Sequence, residues 1–344
     1  MVGFEELLSG KYMKEDGLSF ILIKEEGKTF FIYRNQCTEI TPTFNSGFTV
    51  NWEFGESQFL IESKTKLKEN NSHVFTYSGL PDAQVRSFSN NGALLLHNVI
   101  DKTLIRNVLN CEDVKKILWE ATQVDTLFYS SNSGDSSIID LAKYIWPIIE
   151  SICGESIPLP KSAQIAVKSS GGSPLPFGSV GEDFHIDGLY APGNGVPVGT
   201  ILPSTNLLLG IALTDVPHQN MGNFCFIPGS HLEMNRVVQE LGPEKALEAL
   251  QIQEGGIVEE AMKKVIHVKQ LSPPQSVCCL SGSIYLAHYQ TIHFVQPNSH
   301  GLTPRVAAYY RIQIPSFTDK EKISKLVGGF SNCRAIFDMV NKLE

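Results

Sequence analysis

The chain has 344 residues, 42% of them hydrophobic, which suffices for one large core with an appended unit or for two domains. Its 28 Lys and Arg against 36 Asp and Glu leave a net charge of -8, and no basic cluster is interleaved with aromatics, so neither nucleic acid nor an anionic membrane is an expected partner. The seven cysteines are odd in number and include no C-x-x-C pair, which rules out a readable disulfide framework or zinc knuckle. With no basic segment leading an apolar run at "MVGFEELLSG", and no stretch of about 18 apolar residues, the expected address is the cytoplasm.

Residues 1–82 alternate short apolar runs ("LSFILI", "KTFFIY", "QFLIE") with polar turns, and predict a small β-rich unit of no assignable role. Residues 83–344 form the second unit. It opens with a strand in "NNGALLLHNVID", followed by helix-forming text in "DKTLIRNVLNCEDVKKILWEAT" and "IDLAKYIWPIIESIC", where Pro147 marks a kink or break. Strands dominate after Ile157: "SAQIAVKSS", "EDFHID", "NLLLGIALTDV", "NFCFIP", "SVCCLSG", "SIYLAHYQTIHFV" and "RVAAYYRIQI". An insertion at 232–274 interrupts them, with exposed helices expected in "GPEKALEALQ" and "IVEEAMKKV". Helices first and then many strands predict a mainly β fold with flanking helices, a β-sandwich or open barrel.

His185 and Asp187 stand two apart on a predicted strand, so both point to one face, and Gly188 suits a chain turning away at once. Completing a facial set of two histidines and one carboxylate, which leaves metal positions open, takes a third donor, and His293 in "QTIHFVQPN" is the best candidate. The turn-rich "QPNSHGLTP" predicts a hairpin joining "TIHFV" to "RVAAYYR", with His293 opposite Arg305 to Ala307. A keto acid chelated to the metal would then extend its far carboxylate to the Arg305 guanidinium. Each residue alone has an ordinary structural reading; the ordered set favours a site.

The other histidines compete less well. His288 has the opposite strand parity to His293 and is expected to face away from it on a regular strand. His231 is expected to brace a loop, His218 and His300 to be solvated, and His73, His97 and His267 carry no supporting context.

With those residues in place, the chain resembles the phytanoyl-CoA dioxygenase family over about Ser87 to Pro315. The resemblance lies in "FSNNGALLLHNVID", "FHIDG", "GIALTDVPHQNMGNFCFIPGSH" and "SGSIYLAHYQTIHFVQPNSHGLTPRVAAYYR", which occur in the family's order. It implies a double-stranded β-helix, a jelly roll of cupin-like kind, carrying an Fe(II)- and 2-oxoglutarate-dependent dioxygenase. It further implies His185, Asp187 and His293 as iron ligands and Arg305 as the anchor of the distal carboxylate. Gln164 or its rival Lys168 would touch the cosubstrate. O2 is the implied second cosubstrate, with succinate and CO2 as products. Asp187 disfavours halogenation, since related halogenases carry a small residue there. One departure is Gly282-Ser283, where many relatives have Gly-Asp.

The Gly- and Pro-rich 188–205 is read as a lid over the site or as an inert surface loop, two readings of equal standing. The substrate class expected is a small organic molecule. Two rival functions stand: a non-catalytic β-sandwich binding or scaffold protein with a degenerate site, and a zinc hydrolase, which would leave Arg305 without a task.

Overall fold

The structure, a computed structural model, describes residues 80–121, 136–181, 183–186, 207–241 and 271–315, together with the backbone of strands between 10 and 79 and of 127–133. Asp187, the 188–205 stretch and both helices expected inside the 232–274 insertion lie outside the described residues.

Nine antiparallel strands occupy the N-terminal segment: β1 (Gly10–Met13), β2 (Ser19–Glu25), β3 (Lys28–Tyr33), β4 (Gln36–Ile40), β5 (Pro42–Thr43), β6 (Gly47–Trp52), β7 (Gly55–Ser63), β8 (Lys66–Glu69) and β9 (His73–Gly79). They form one sheet in the order β4-β3-β2-β1-β9-β8-β7-β6-β5. Most neighbours in that order are also neighbours in sequence, as short polar turns between alternating segments dictate.

From residue 82 the chain builds a second body. Helix α1 (Asp82–Asn91) ends on Gly92 in the left-handed region and hands over to β10 (Ala93–Leu96). Four helices follow or flank strand β11 (Leu127–Ser133): α2 (Lys102–Leu109), α3 (Glu112–Ala121), α4 (Ser136–Lys143) and α5 (Trp146–Cys153). The Asp101 carboxylate caps α2 by accepting from Thr103 N–H. Pro147 sits in the first turn of α5, where its missing N–H costs nothing, so the break falls just before it.

The remaining strands are β12 (Ala163–Lys168), β13 (Leu207–Ala212), β14 (Phe224–Phe226), β15 (Gln275–Ser276), β16 (Ile284–His288), β17 (His293–Val295) and β18 (Arg305–Ile312), with α6 (Ser230–Leu241) after β14. They make a six-stranded antiparallel sheet, β10-β16-β13-β18-β12-β11, and a three-stranded one, β15-β14-β17. Phe224 and Phe226 of the small sheet share one apolar cluster with Ala166, Leu208, Ala307 and Tyr309 of the large one, so the two sheets face each other as a jelly roll. The opposite face of the large sheet packs Ile165, Leu209, Leu286 and Tyr310 against the helices. β13 is therefore buried along its whole length, and its sequence "LLLGIA" shows no alternation. Each fully buried Leu or Ile there contributes about 1.5–3 kcal/mol.

Two sequence expectations fail here. "SIYLAHYQTIHFV" is not one strand: β16 ends at His288, and a turn through Tyr289 and Gln290 carries the chain to β17 in the other sheet. Nor do β17 and β18 form a hairpin. β17 pairs with β14, with Phe226 opposite His293, whereas β18 lies between β12 and β13. The segment 296–304 is a crossover between sheets; at nine residues it exceeds the two- to five-residue loops usual for hairpins.

Candidate functional site

His185 lies on an isolated bridge rather than in the strand expected over "EDFHID": its N–H donates to His293 O at 2.9 Å, and His293 N–H donates to His185 O at 2.9 Å. That exchange extends the small sheet by one residue pair and puts two buried imidazoles side by side, centroids 4.4 Å apart and planes at 58°.

Both rings are held in the same way. His185 Nδ1 lies 2.7 Å from Asp183 O, and His293 Nδ1 lies 2.8 Å from Thr291 O, in each case the carbonyl two residues back. A carbonyl oxygen only accepts, so Nδ1 carries the hydrogen in each ring and the lone pair of the neutral imidazole is on Nε2. This is the preparation a metal-ligating histidine receives from its surroundings. Among the described residues no group of three His, Cys, Asp or Glu could hold a metal, and the third donor the sequence offers, Asp187, is outside them.

A file of rings leads from the histidines across the sandwich. Phe224 lies 5.1 Å from His293 and stacks on Tyr285 at 4.9 Å, and Tyr285 meets Tyr309 at 5.9 Å. There the file reaches Arg305, only 4% exposed, whose Nη2 donates to Tyr285 Oη at 2.9 Å and to Tyr309 Oη at 2.6 Å. The Tyr285 hydroxyl in turn donates to Tyr309 Oη at 2.9 Å. Burial drives the Tyr285 pKa well above its ordinary value, with Arg305 opposing, so the phenol stays protonated. The neighbouring Cys279 thiol is pushed up to about 12 by burial, again against Arg305, and is no nucleophile.

His293 and Arg305 thus belong to facing sheets, joined through Phe224 and Tyr285 rather than by the cross-strand pairing expected. Tyr309 had a legible signal, lying four residues from Arg305 and hence on its face. Tyr285 and Phe224 had none, because nothing in one strand's text states which strand will face it.

The two candidates on β12 separate. Lys168 is directly opposite Arg305, whereas Gln164 is opposite Tyr309 and accepts from Arg311 Nη1 at 3.0 Å. Both share the face of Arg305. His231, in the first turn of α6, is fully buried, with Nε2 2.9 Å from Ser89 O, so it braces the end of α1. His288 is also fully buried, 5.7 Å from His231, while His97, His218 and His300 are exposed. His73 and His267 lie where side chains are not described.

No family model matches the sequence, and no curated protein is similar to it at a significant level. Solved structures do resemble it. They include the non-heme alpha ketoglutarate dependent carbocyclase SnoK from nogalamycin biosynthesis, 19% identical with a TM-score of 0.47 over 67% of this chain and 82% of that one. HygX from Streptomyces hygroscopicus, with nickel and 2-oxoglutarate bound, is 13% identical with a TM-score of 0.40 over 67% and 85%. EctD from S. alaskensis, with bound Fe, is 13% identical with a TM-score of 0.41 over 67% and 75%. Likeness at this level assigns no chemistry to the chain.

Proposed function

We propose that the chain is an Fe(II)- and 2-oxoglutarate-dependent dioxygenase, similar to phytanoyl-CoA dioxygenase, that oxidises a C–H bond of a small organic substrate, most simply by hydroxylation. The observation that carries this reading is the pair His185 and His293, two adjacent buried imidazoles with both Nδ1 atoms committed to backbone carbonyls. Asp187, two residues from His185, is the proposed third ligand.

When bound, iron would activate O2, the oxidant, with 2-oxoglutarate giving up two electrons as it becomes succinate and CO2 and the substrate C–H bond giving up the other two. The chain's own residues prepare the place. With Nδ1 committed to a backbone carbonyl in each ring, Nε2 is the atom that His185 and His293 would turn to a metal, and the antiparallel bridge fixes their separation. Arg305 offers a permanent positive charge in a water-poor interior, where a carboxylate is held far more strongly than at the surface. Tyr285 and Tyr309 accept from its Nη2 and so orient the guanidinium plane. Lys168, by its register beside Arg305, is the better placed of the two β12 candidates to add a second charge for that carboxylate; Gln164 remains a candidate contact further along the strand.

Phe224 lines the space between the histidines and Tyr285 with an apolar ring, which excludes water from the path between them. Hydroxylation is preferred over halogenation because Asp187 keeps a carboxylate where a halide would otherwise find room.

The test is anaerobic addition of Fe(II) and 2-oxoglutarate to concentrated protein, followed by admission of O2. A weak visible charge-transfer band, then succinate formation that depends on O2, supports the proposal. Absence of the band favours the scaffold reading, and hydrolytic turnover with zinc and no O2 favours the hydrolase.

A further inference from the structure

We infer that Thr291 is a positioning residue of the metal site, which sets the tautomer and ring plane of His293 through its own carbonyl; the inference rests on the metal-binding reading above. Thr291 is fully buried, and it lies in the turn between the sheets, outside both β16 and β17. Its carbonyl accepts from His293 Nδ1 at 2.8 Å. Whether that carbonyl can act as a fixed guide depends on how firmly its peptide plane is held.

The plane is clamped from both ends. Its carbonyl belongs to Thr291 and its N–H to Ile292, and that N–H donates to Ser230 Oγ at 2.9 Å. On the other side, the Thr291 hydroxyl donates to Gly92 O at 2.8 Å and the Thr291 N–H donates to His288 O at 2.9 Å. Ile227 N–H closes the set by donating to Ile292 O at 2.9 Å. The end of α1, the start of α6 and the end of β16 therefore converge on Thr291 and the peptide that follows it, whose carbonyl serves the ring of His293.

Gly92 shows that this contact is tight. It sits at φ 77°, and a β-carbon there would stand 2.4 Å from both Thr291 Oγ1 and His231 Nδ1. Only a glycine brings the end of α1 close enough for the threonine hydroxyl to reach its carbonyl.

Thr291→Val keeps the shape and removes the hydroxyl. Gly92 O is left satisfied, because His288 N–H also donates to it at 2.8 Å, so no buried acceptor is orphaned. What the variant loses is one of these four restraints, the one that ties Thr291 to the end of α1.

The experiment uses the full chain and Mn(II) as an oxygen-stable probe, with affinity read from the free-ion electron paramagnetic resonance signal. Thr291→Val is expected to weaken Mn(II) binding about tenfold, and Thr291→Ser to restore it. In parallel, ring nitrogen NMR of the metal-free protein reads the tautomer directly: His293 protonated at Nδ1 in the native chain, and a mixture of tautomers in Thr291→Val. Unchanged affinity with an unchanged tautomer in Thr291→Val overturns the inference. So does an Nε2-protonated His293 in the native metal-free chain, a result that stands even if the variant fails to fold. A native chain that binds no Mn(II) overturns the metal-binding reading instead, while the ring spectra still decide the role of Thr291.

Discussion

Gly210 lies under the ring of Tyr285, its cross-strand partner, so closely that a β-carbon there would stand 2.1 Å from Cε2 and 2.3 Å from Cζ. Gly210 is also opposite Tyr309 on its other side, so one missing side chain makes room for the two phenols that hold Arg305. Glycine in mid-strand ordinarily costs about 0.5–1 kcal/mol against alanine, so Gly210→Ala would stabilise the chain if the space were open. Here the ring is buried and has nowhere to go. The variant is expected to lose about 1–3 kcal/mol in denaturant unfolding and to need more 2-oxoglutarate for half-maximal turnover. A more stable variant with unchanged 2-oxoglutarate dependence would contradict the placement of Tyr285.

Tyr285→Phe separates packing from hydrogen bonding at the same spot. The ring and its stack on Phe224 remain, while Arg305 Nη2 loses one of two acceptors and Tyr309 loses a donor. The expected effect is on cosubstrate binding: roughly a tenfold rise in KM for 2-oxoglutarate with kcat little changed, as expected for loss of an interaction made equally in ground and transition states. Steady-state kinetics at saturating substrate checks this. A fall in kcat at constant KM would place the tyrosine nearer the reacting atoms.

How much of this was legible in the sequence depends on what each inference needed. The strands "AQIAV" and "GIAL" and the break before Pro147 follow from local propensity and appear where expected. His185 and His293 meet as the text implied, but for another reason. The turn residues of "QPNSHGLTP" announced a reversal of the chain without stating which sheet receives the next strand, so a crossover was read as a hairpin. The parity argument for His288 failed in the same way, because it counted through a turn as though it were a strand. Sequence period reports the face of one element; the partner across a sandwich is decided by packing, which has no local signature.

Replacing either imidazole should abolish metal binding without unfolding the chain. The bridge between His185 and His293 is made by backbone atoms, so His185→Ala and His293→Ala both keep it. Isothermal titration with Mn(II) is expected to show binding in the native chain and none in either variant, with circular dichroism unchanged. Asp187→Ala is expected to behave alike. Tight binding retained in His293→Ala would mean that the ligand set lies elsewhere.

Acid sensitivity has an identifiable source in His231. Burial pulls its pKa from 6.5 down to about 4, against the raising effect of its hydrogen bond to Ser89 O. A base whose folded pKa is depressed stays neutral in the native state while the unfolded chain takes up the proton. Its penalty is therefore nil above about pH 6.5 and grows as the pH falls towards about 4, reaching about 3 kcal/mol there. The melting temperature of the native chain is expected to drop steeply between pH 6.5 and 4.5. His231→Gln, which carries no titrating group, is expected to melt lower at pH 7.5 through lost packing and yet show a shallower acid limb. Parallel melting curves for the two proteins over that range would locate the acid sensitivity at other groups.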